Sequence, residues 1–356
     1  MLLLLSILFR KADVKLRPTQ IYATDRSNTN NSIKRGRVYE CGFPRSGLIK
    51  ALFPEYEPVG TWLFNASLAQ EPTDDILVVG MGGPCSVKQP NNRHFNGTVI
   101  YVNGEPEGNI MDIATRSNSP KWNRVYQLGP YNQKFNTKNA MQLYHIAAYL
   151  IERIDPSMWD WIFDTNQKPQ NTGQHDAVIY IAKNCEKHRQ QAAKKISIVI
   201  PIKFGGRCIV STPNGNKVEV SNTRKTHWEN WRIYREYKYC LVLENTRIDG
   251  YISEKILLAF LGGCIPIYWG TDQIFDLFNR DAFIFYDIDN PQKAIDEIQY
   301  LQSNATAYLE KLKAQPILRN ITFAQEEIFS LTDSIGNGKL KRLIRQKTGV
   351  EANYVI

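Results

Sequence analysis

Apolar runs of strand length alternate with segments of helical periodicity through the second half of the chain. The runs at 177–184, 239–245 and 264–270 predict buried strands, and the segments at 186–195 and 253–263 predict helices. Strands that alternate with helices build βαβ units around a parallel sheet. This half of the sequence therefore predicts an α/β domain with a parallel sheet.

The first half carries a weaker form of the same pattern. The segments 75–83 and 97–105 predict strands that end in glycine-rich turns, and 139–154 predicts a helix. The polar segment 10–45 is typical of a tether, and a stretch rich in Pro, Asn and Gly before residue 174 indicates a domain boundary. The predicted parts are an apolar N-terminal segment and stem at 1–45, α/β domains at 46–174 and 175–330, and a basic C-terminal tail at 331–356.

A polar segment, ENTRIDGYISEK at 244–255, separates the strand at 239–245 from the helix at 253–263. Ser253 is a good N-cap residue for that helix. The polar side chains therefore lie at the carboxyl end of a strand and the amino end of a helix. Open parallel sheets bind ligands at that edge, and a helix N-terminus offers free N–H groups to an anion. The candidate ligand-binding residues in this segment are Asn245, Tyr251, Glu254 and Lys255.

Two further strand ends carry polar groups of the same kind. Arg189 enters the helix that follows the strand at 177–184, and Glu105 follows the strand in 97–105. Each has an ordinary alternative, since Arg189 fits a solvated helix face and Glu105 fits a turn. Glu254 is explained equally well as a partner of the helix dipole, and Lys255 as an ordinary solvated lysine.

The net charge of +9 over 356 residues favours an anionic partner of moderate charge density. Nucleic acid, a membrane surface and a phosphorylated small molecule all meet that requirement, but no nucleic-acid recognition motif is present, so we expect no nucleic-acid partner. The basic residues cluster in 339–347, where we expect a solvated helix face. The composition, with 43% hydrophobic residues, excludes a disordered chain.

The six cysteines include no C-x-x-C pair, which disfavours a zinc site. An even number permits disulfides without proving any. Cys240 and Cys264 lie in apolar runs, and we expect them to behave as small buried hydrophobic residues.

The N-terminus indicates the secretory pathway. The apolar run at 1–9 is shorter than the roughly 20 residues that span a bilayer. It fits either a signal-peptide core or the end of a signal anchor. Glycosylation sequons support a lumenal protein, and they begin at Asn30, Asn65, Asn96, Asn304 and Asn320.

The stretch YKYCLVLENTRIDGYISEKILLAFLGGCIPIYWG at 237–270 resembles the donor-binding motif of the α1,3/α1,4-fucosyltransferase family, glycosyltransferase family 10. The likeness extends over about 177–315 and includes the upstream segment AKNCEKHR. The first half matches weakly, through NGEPEGN. Lys183 replaces the usual Ser, and Ser253 replaces the usual Thr, and neither change removes a charged group.

The resemblance implies a GT-B fold, with two Rossmann-like domains facing across a cleft. It implies inverting transfer of L-fucose from GDP-fucose to a hydroxyl of a glycan acceptor, GlcNAc in α1,3 linkage, on a glycoprotein or glycolipid. Glu105 would be the catalytic base. Arg189 and Lys255 would neutralise the diphosphate, Glu254 would stabilise the oxocarbenium-like sugar, and Asn245 and Tyr251 would orient the donor.

No cofactor is expected to be required, and stimulation by a divalent cation stays open. Asp287 and Asp289 form the Asp-x-Asp pattern with which metal-dependent glycosyltransferases hold Mn²⁺. The N-terminus of a following helix, with Asp289 or Asn290 as N-cap, explains them better. The resemblance and the apolar start together imply a single-pass type II Golgi membrane protein with a lumenal catalytic domain. The alternatives are a related enzyme with another nucleotide sugar and a non-catalytic lumenal glycan-binding protein.

Overall fold

The strands of this protein form two sheets, each of six strands within the described part of the chain. The computed structural model describes residues 36–41, 52–53, 55–61, 74–80, 95, 97–102, 125–129, 140–142, 173–213, 215–217, 229–317 and 339–349. Every strand pairing in both sheets is parallel. The predicted α/β fold is confirmed.

The first sheet has the order β2-β1-β3-β4-β5-β6. Two of its inner strands, β3 (Ile76–Val79) and β4 (Thr98–Val102), are continuously buried, as expected for a parallel sheet that is covered on both faces. The guanidinium and backbone N–H of Arg37 both donate to Asp75, which joins the start of β1 to the start of β3. The strands are β1 (Arg37–Cys41), β2 (Glu57–Thr61), β3 (Ile76–Val79), β4 (Thr98–Val102), β5 (Val125–Gly129) and β6 (Ala140–Gln142).

Two predictions for this half are wrong in part. The stem predicted for 1–45 does not extend over β1, because Val38 and Tyr39 are buried and the strand pairs with β2 and β3. The charged residues Arg37 and Glu40 flank this apolar pair, so the strand was not predicted from the sequence. The helix predicted at 139–154 begins instead with strand β6, and residues 143–154 lie outside the described residues.

The second sheet has the order β12-β11-β10-β7-β8-β9. Its strands are β7 (His175–Ala182), β8 (Ile202–Gly206), β9 (Gly215–Lys217), β10 (Tyr237–Leu243), β11 (Ile265–Trp269) and β12 (Ile284–Phe285). The helices described in this half are α1 (Lys187–Ile196), α2 (Asn230–Tyr234), α3 (Glu254–Gly262), α4 (Ile274–Leu277), α5 (Gln292–Ser303) and α6 (Ala305–Lys313). The predicted alternation of strands and helices is confirmed here.

The order of this second sheet reverses between β7 and β10. The chain runs outward from β7 through β8 to β9, then returns to pair β10 with the opposite edge of β7 and continues to β11 and β12. Loops that leave two neighbouring strands in opposite directions open a crevice at their carboxyl ends. The topology therefore predicts a ligand crevice where β7 and β10 end.

Helix α3 is buried along nearly its whole length, between the sheet and α2. Ser253 caps its N-terminus, and Gly263 ends it in the left-handed conformation with φ 71°, as the sequence predicts. Gly262 permits close approach to α2, because a Cβ there would lie 2.5 Å from Tyr234 Cβ. The start of α3 is therefore held in a fixed position at the crevice.

Two disulfides fasten the second sheet. Cys240 bonds to Cys264 and ties β10 to the start of β11, so these cysteines are more than the small buried hydrophobic residues that the sequence predicts. Both are buried as expected, but paired strands bring their sulfurs together. Cys185 bonds to Cys208 and ties the loop before α1 to the segment after β8.

A C-terminal helix, α7 (Lys339–Thr348), packs into the protein. The predicted solvated face is wrong for Lys341 and Arg345, which are buried, and Ile344 is buried beside them. Arg345 donates to the backbone oxygen of Leu52 and to Glu55 Oε1 at 2.6 Å. The helix thus contacts the segment between β1 and β2.

The described residues contain no helix long and apolar enough to cross a bilayer. The apolar segment 1–9 lies outside them. The domain limits near residues 174 and 330 stay predictions.

We expect Arg345→Met to destabilise the fold by about 3 kcal/mol, because it leaves the carboxylate of Glu55 without its buried partner. The free energy of unfolding, from denaturant titration, measures the loss. Gln346→Ala is the control, since Gln346 is exposed one residue further along α7. Adding Glu55→Gln to Arg345→Met should recover part of the loss. Equal unfolding midpoints for the wild type and Arg345→Met would contradict the contact.

Candidate functional site at the ends of β7 and β10

Arg189 reaches from helix α1 to the end of β10. Its side chain is only 4% exposed, so the surface alternative is wrong. Nε donates to the backbone oxygen of Glu244 at 3.1 Å, and Nη2 donates to Asn245 Oδ1. The structure therefore brings together two of the predicted site residues, 56 positions apart in the chain.

The carboxylate of Glu244 is fully buried directly after β10. It accepts hydrogen bonds from the backbone N–H of Ser253 at 2.8 Å and from the Ser253 hydroxyl at 2.7 and 2.9 Å. Lys255 Nζ lies 3.1 Å from Oε2, and the Tyr268 hydroxyl lies 3.5 Å from Oε1. The carboxylate thus connects the end of β10 to the start of α3 and to β11.

The side chain of Lys255 is mostly buried and 23% exposed. Burial lowers its pKa, but the negative charges of Glu244 and Glu254 outweigh burial, so its pKa lies above the ordinary value. Lys255 Nζ also donates to the Ser253 hydroxyl at 2.8 Å. The ammonium is therefore held in its charged form at the first turn of α3.

Tyr268 and Gly270 shape the other side of the buried carboxylate. Burial and the charge of Glu244 raise the pKa of Tyr268 well above its ordinary value, so its phenol stays a donor. A Cβ at Gly270 would lie 3.0 Å from Glu244 Cγ and closer still to the Tyr268 hydroxyl. Glycine is therefore needed where β11 ends.

The remaining predicted residues divide into two groups. Glu254 is half-buried as the first residue of α3, beside Lys255, and Tyr251 is 1% exposed in the loop before it. Their roles toward a donor stay predictions. Glu105 lies outside the described residues, three positions beyond the end of β4 at Val102.

Asp287 and Asp289 form a local turn, in which Asp287 Oδ1 accepts from the backbone N–H of Asp289 at 3.0 Å. The N-cap position of α5 belongs to Pro291, so the prediction of Asp289 or Asn290 as N-cap is wrong. Within the described ranges, no group of three or more His, Cys, Asp or Glu side chains is placed to hold a metal ion.

A pocket of about 490 Å³ lies beside β12 and α5. Its lining includes Phe275, Arg280, Phe285, Asp287 and Lys293, and it does not include Arg189, Asn245 or Lys255. The pocket and the Arg189 site are therefore separate features of this domain.

Sequence reasoning placed Glu244 at a strand end but gave it no role. Its importance comes from contacts with residues 9 to 56 positions away, including Tyr268 and His188. The available local signals were a charged residue that directly follows a wholly apolar strand and a glycine at the end of the next strand.

Part of this chain is similar in sequence to known fucosyltransferases. The family model of the glycosyltransferase family 10 (fucosyltransferase) C-terminal domain matches residues 171–329. An alpha-(1,3)-fucosyltransferase of Helicobacter pylori is 41% identical over 83 residues, which are 23% of this chain and 17% of that protein. The aligned stretch thus spans less than a fifth of that relative's length.

Solved structures share the fold. A crystal structure of alpha1,3-fucosyltransferase superimposes with a TM-score of 0.57 at 20% identity, over 91% of this chain and 94% of that chain. A second, of alpha1,3-fucosyltransferase with GDP-fucose, gives a TM-score of 0.54 at 19% identity, over 90% and 91% of the two chains. The fold is of the GT-B type, and residues 171–329, a little under half of this chain, match the C-terminal domain of glycosyltransferase family 10 (fucosyltransferase).

Proposed function

We propose that this protein transfers L-fucose from GDP-fucose to a hydroxyl of a glycan acceptor, with inversion at the sugar carbon. One observation carries the proposal: Arg189 and Lys255 both contact Glu244, at the point where the strand order of the second sheet reverses. Two cations beside a helix N-terminus suit the diphosphate of a nucleotide sugar. The family match covers this whole region, and a relative of the same fold has been solved with GDP-fucose.

The chemistry requires that negative charge be stabilised as GDP leaves. Arg189 donates from Nε to Glu244 and from Nη2 to Asn245. Among the described residues Nη1 has no such acceptor, so it can donate to a phosphate oxygen. Lys255 supplies a second positive charge at the first turn of α3. Preorganised donors of this kind contribute on the order of 3 kcal/mol each to the stability of a transition state.

The acceptor hydroxyl attacks the anomeric carbon while the bond from that carbon to the phosphate oxygen breaks, and GDP departs with the electron pair. Glu105 takes the hydroxyl proton, and Glu254 lies beside Lys255 to stabilise positive charge on the sugar. Asn245 and Tyr251 orient the donor. We propose GlcNAc in α1,3 linkage as the acceptor, on a glycoprotein or glycolipid.

The wider setting of the enzyme is proposed on the sequence alone. The apolar segment 1–9 and the sequons support a single-pass type II protein of the Golgi membrane with a lumenal catalytic domain. No cofactor is proposed as a requirement for transfer. Fluorescence microscopy of the tagged full chain, with protease protection in sealed vesicles, tests the location and orientation.

Transfer is tested with the full chain, radiolabelled GDP-fucose and a panel of Lewis-type and N-glycan-core acceptors, followed by linkage analysis. Thermal shifts with GDP-fucose, GDP-mannose and UDP-galactose identify the donor. A shift with UDP-galactose alone would overturn the donor assignment. Glycan binding by the folded protein, with no response to GDP and no transfer, would support a non-catalytic binder instead.

Glu105→Gln should reduce transfer by about 100-fold or more, because the acceptor hydroxyl loses its proton acceptor. The affinity for GDP, from calorimetry, should be unchanged. Glu107→Gln is the matched control, with the same chemical change two residues later in the same segment. Full activity in Glu105→Gln places the base elsewhere, and loss in Glu107→Gln alone places it at Glu107.

Arg189→Lys should raise the Kd for GDP by about 10- to 100-fold, although the charge is kept. A lysine ammonium cannot hold Glu244 and Asn245 and still present a planar donor pair to the phosphate. Arg247→Lys is the control, since Arg247 pairs with Asp272 at the surface of the following loop. An unchanged Kd in a folded Arg189→Lys variant would remove Arg189 from the donor site.

A further inference from the structure

Both cations of the site are attached to the same residue, through different atoms. The backbone oxygen of Glu244 accepts from Arg189 Nε at 3.1 Å, and its carboxylate lies 3.1 Å from Lys255 Nζ. His188 Nε2 also lies 3.1 Å from that backbone oxygen. The distance between Arg189 and Lys255 is therefore set through one residue.

We propose that Glu244 is a positioning residue that fixes both cations and keeps Lys255 charged, ready for the diphosphate of the nucleotide sugar. The inference rests on the proposed function for the identity of the anion. Glu244 itself does not meet the substrate, because its side chain is 0% exposed. It acts through Lys255 and Arg189.

The carboxylate is bound tightly enough to serve as a fixed support. Ser253 donates to it from both its backbone N–H and its hydroxyl, and Tyr268 lies against Oε1. These partners come from α3 and β11, so the carboxylate cannot move without disturbing two elements. A support of this kind restricts the ammonium of Lys255 to a small region at the crevice.

Lys255 keeps a donor available while it is held. An ammonium group has three N–H donors, and Glu244 and Ser253 accept two of them among the described residues. The side chain is partly exposed, which gives the third donor access to a ligand. Lys255 can thus bind a phosphate oxygen without leaving Glu244.

Several charged groups face Lys255 and determine its protonation. Glu254 on the same helix raises the pKa of Lys255, as Glu244 does, while Arg189 on α1 and burial lower it. Tyr268 and His188 face Glu244 from β11 and α1. Without the charge of Glu244, burial and Arg189 are opposed by Glu254 alone among these groups, so the pKa of Lys255 falls.

Glu244→Gln should therefore reduce kcat/KM for GDP-fucose by about 100-fold, the scale of a displaced ligand contact. It should also introduce a new loss of activity at alkaline pH, because without the charge of Glu244 Lys255 deprotonates at a lower pH in the variant than in the wild type. The wild type should keep its activity there. If Glu244 had a purely structural role, Glu244→Gln would lower the thermal unfolding midpoint without adding this pH dependence of activity.

Two further variants keep the test decisive. Glu297→Gln makes the same chemical change in another Glu–Lys pair of this domain, with Lys311, and should leave the pH profile unchanged. Glu244→Asp keeps the charge but shortens the side chain, so it should lower kcat/KM while retaining the wild-type pH profile. If Glu244→Gln does not fold, Glu244→Asp and calorimetry of GDP binding still test the positioning role.

A folded Glu244→Gln variant with wild-type kcat/KM, GDP affinity and pH profile would overturn the inference. The pairing can also be measured without any donor. The raised pKa of Lys255 adds stability below about pH 10.4, and that stability is lost as the pH rises through the folded-state pKa. The stability difference between wild type and Glu244→Gln should thus shrink at high pH even if the natural donor is not GDP-fucose. No such shrinkage would refute the pairing, while its presence without fucose transfer would refute only the proposed donor.

Discussion

A carboxylate taken out of water must be matched by donors at fixed distances, and Glu244 imposes that requirement on the whole ligand edge of the second sheet. The penalty for burying an ion amounts to several kcal/mol unless geometry and hydrogen bonds offset it. Ser253, Lys255 and Tyr268 provide that match from two neighbouring elements. The start of α3 and the end of β11 are therefore positioned by electrostatic demand as well as by apolar packing.

The topology explains why the buried carboxylate of Glu244 and its donors lie at the edge of the sheet where a ligand can bind. Parallel strands direct all their carboxyl ends to one edge, and the reversal between β7 and β10 separates the loops that follow them. Arg189 enters from helix α1, which follows the first of those loops, and Glu244 with Asn245 enter from the second loop. Gly262 lets α3 approach α2 closely, and Gly270 leaves room for Tyr268 and Glu244 at the end of β11.

Local patterns were enough to predict much of the second domain. The apolar strand at β10, the Ser253 cap and the Gly263 terminus each depend on a few adjacent residues, and each was correct. The pairings were not predictable, because they depend on which strands become neighbours. The Cys240–Cys264 bond and the buried role of Glu244 are of this kind.

The first domain was harder to predict for a different reason. Strand β1 is short and carries charged residues, and one of them, Arg37, pairs with Asp75, 38 positions away. Arg345 of α7 was predicted to be solvated because its partner Glu55 lies 290 positions away in the chain. The catalytic base proposed at Glu105 has no strong local pattern around it, whereas the donor residues lie in a long motif.

The contact between Arg345 and Glu55 closes a loop of 290 residues. A ribosome adds residues from the N-terminus onward, so the Glu55 segment between β1 and β2 is made 290 residues before its partner Arg345 in α7. Until then Glu55 and the apolar side chains under α7 have no cover from that helix. Docking of α7 therefore completes a contact with a segment made much earlier, and a truncation that removes residue 345 acts on a part of the fold that was synthesised long before it.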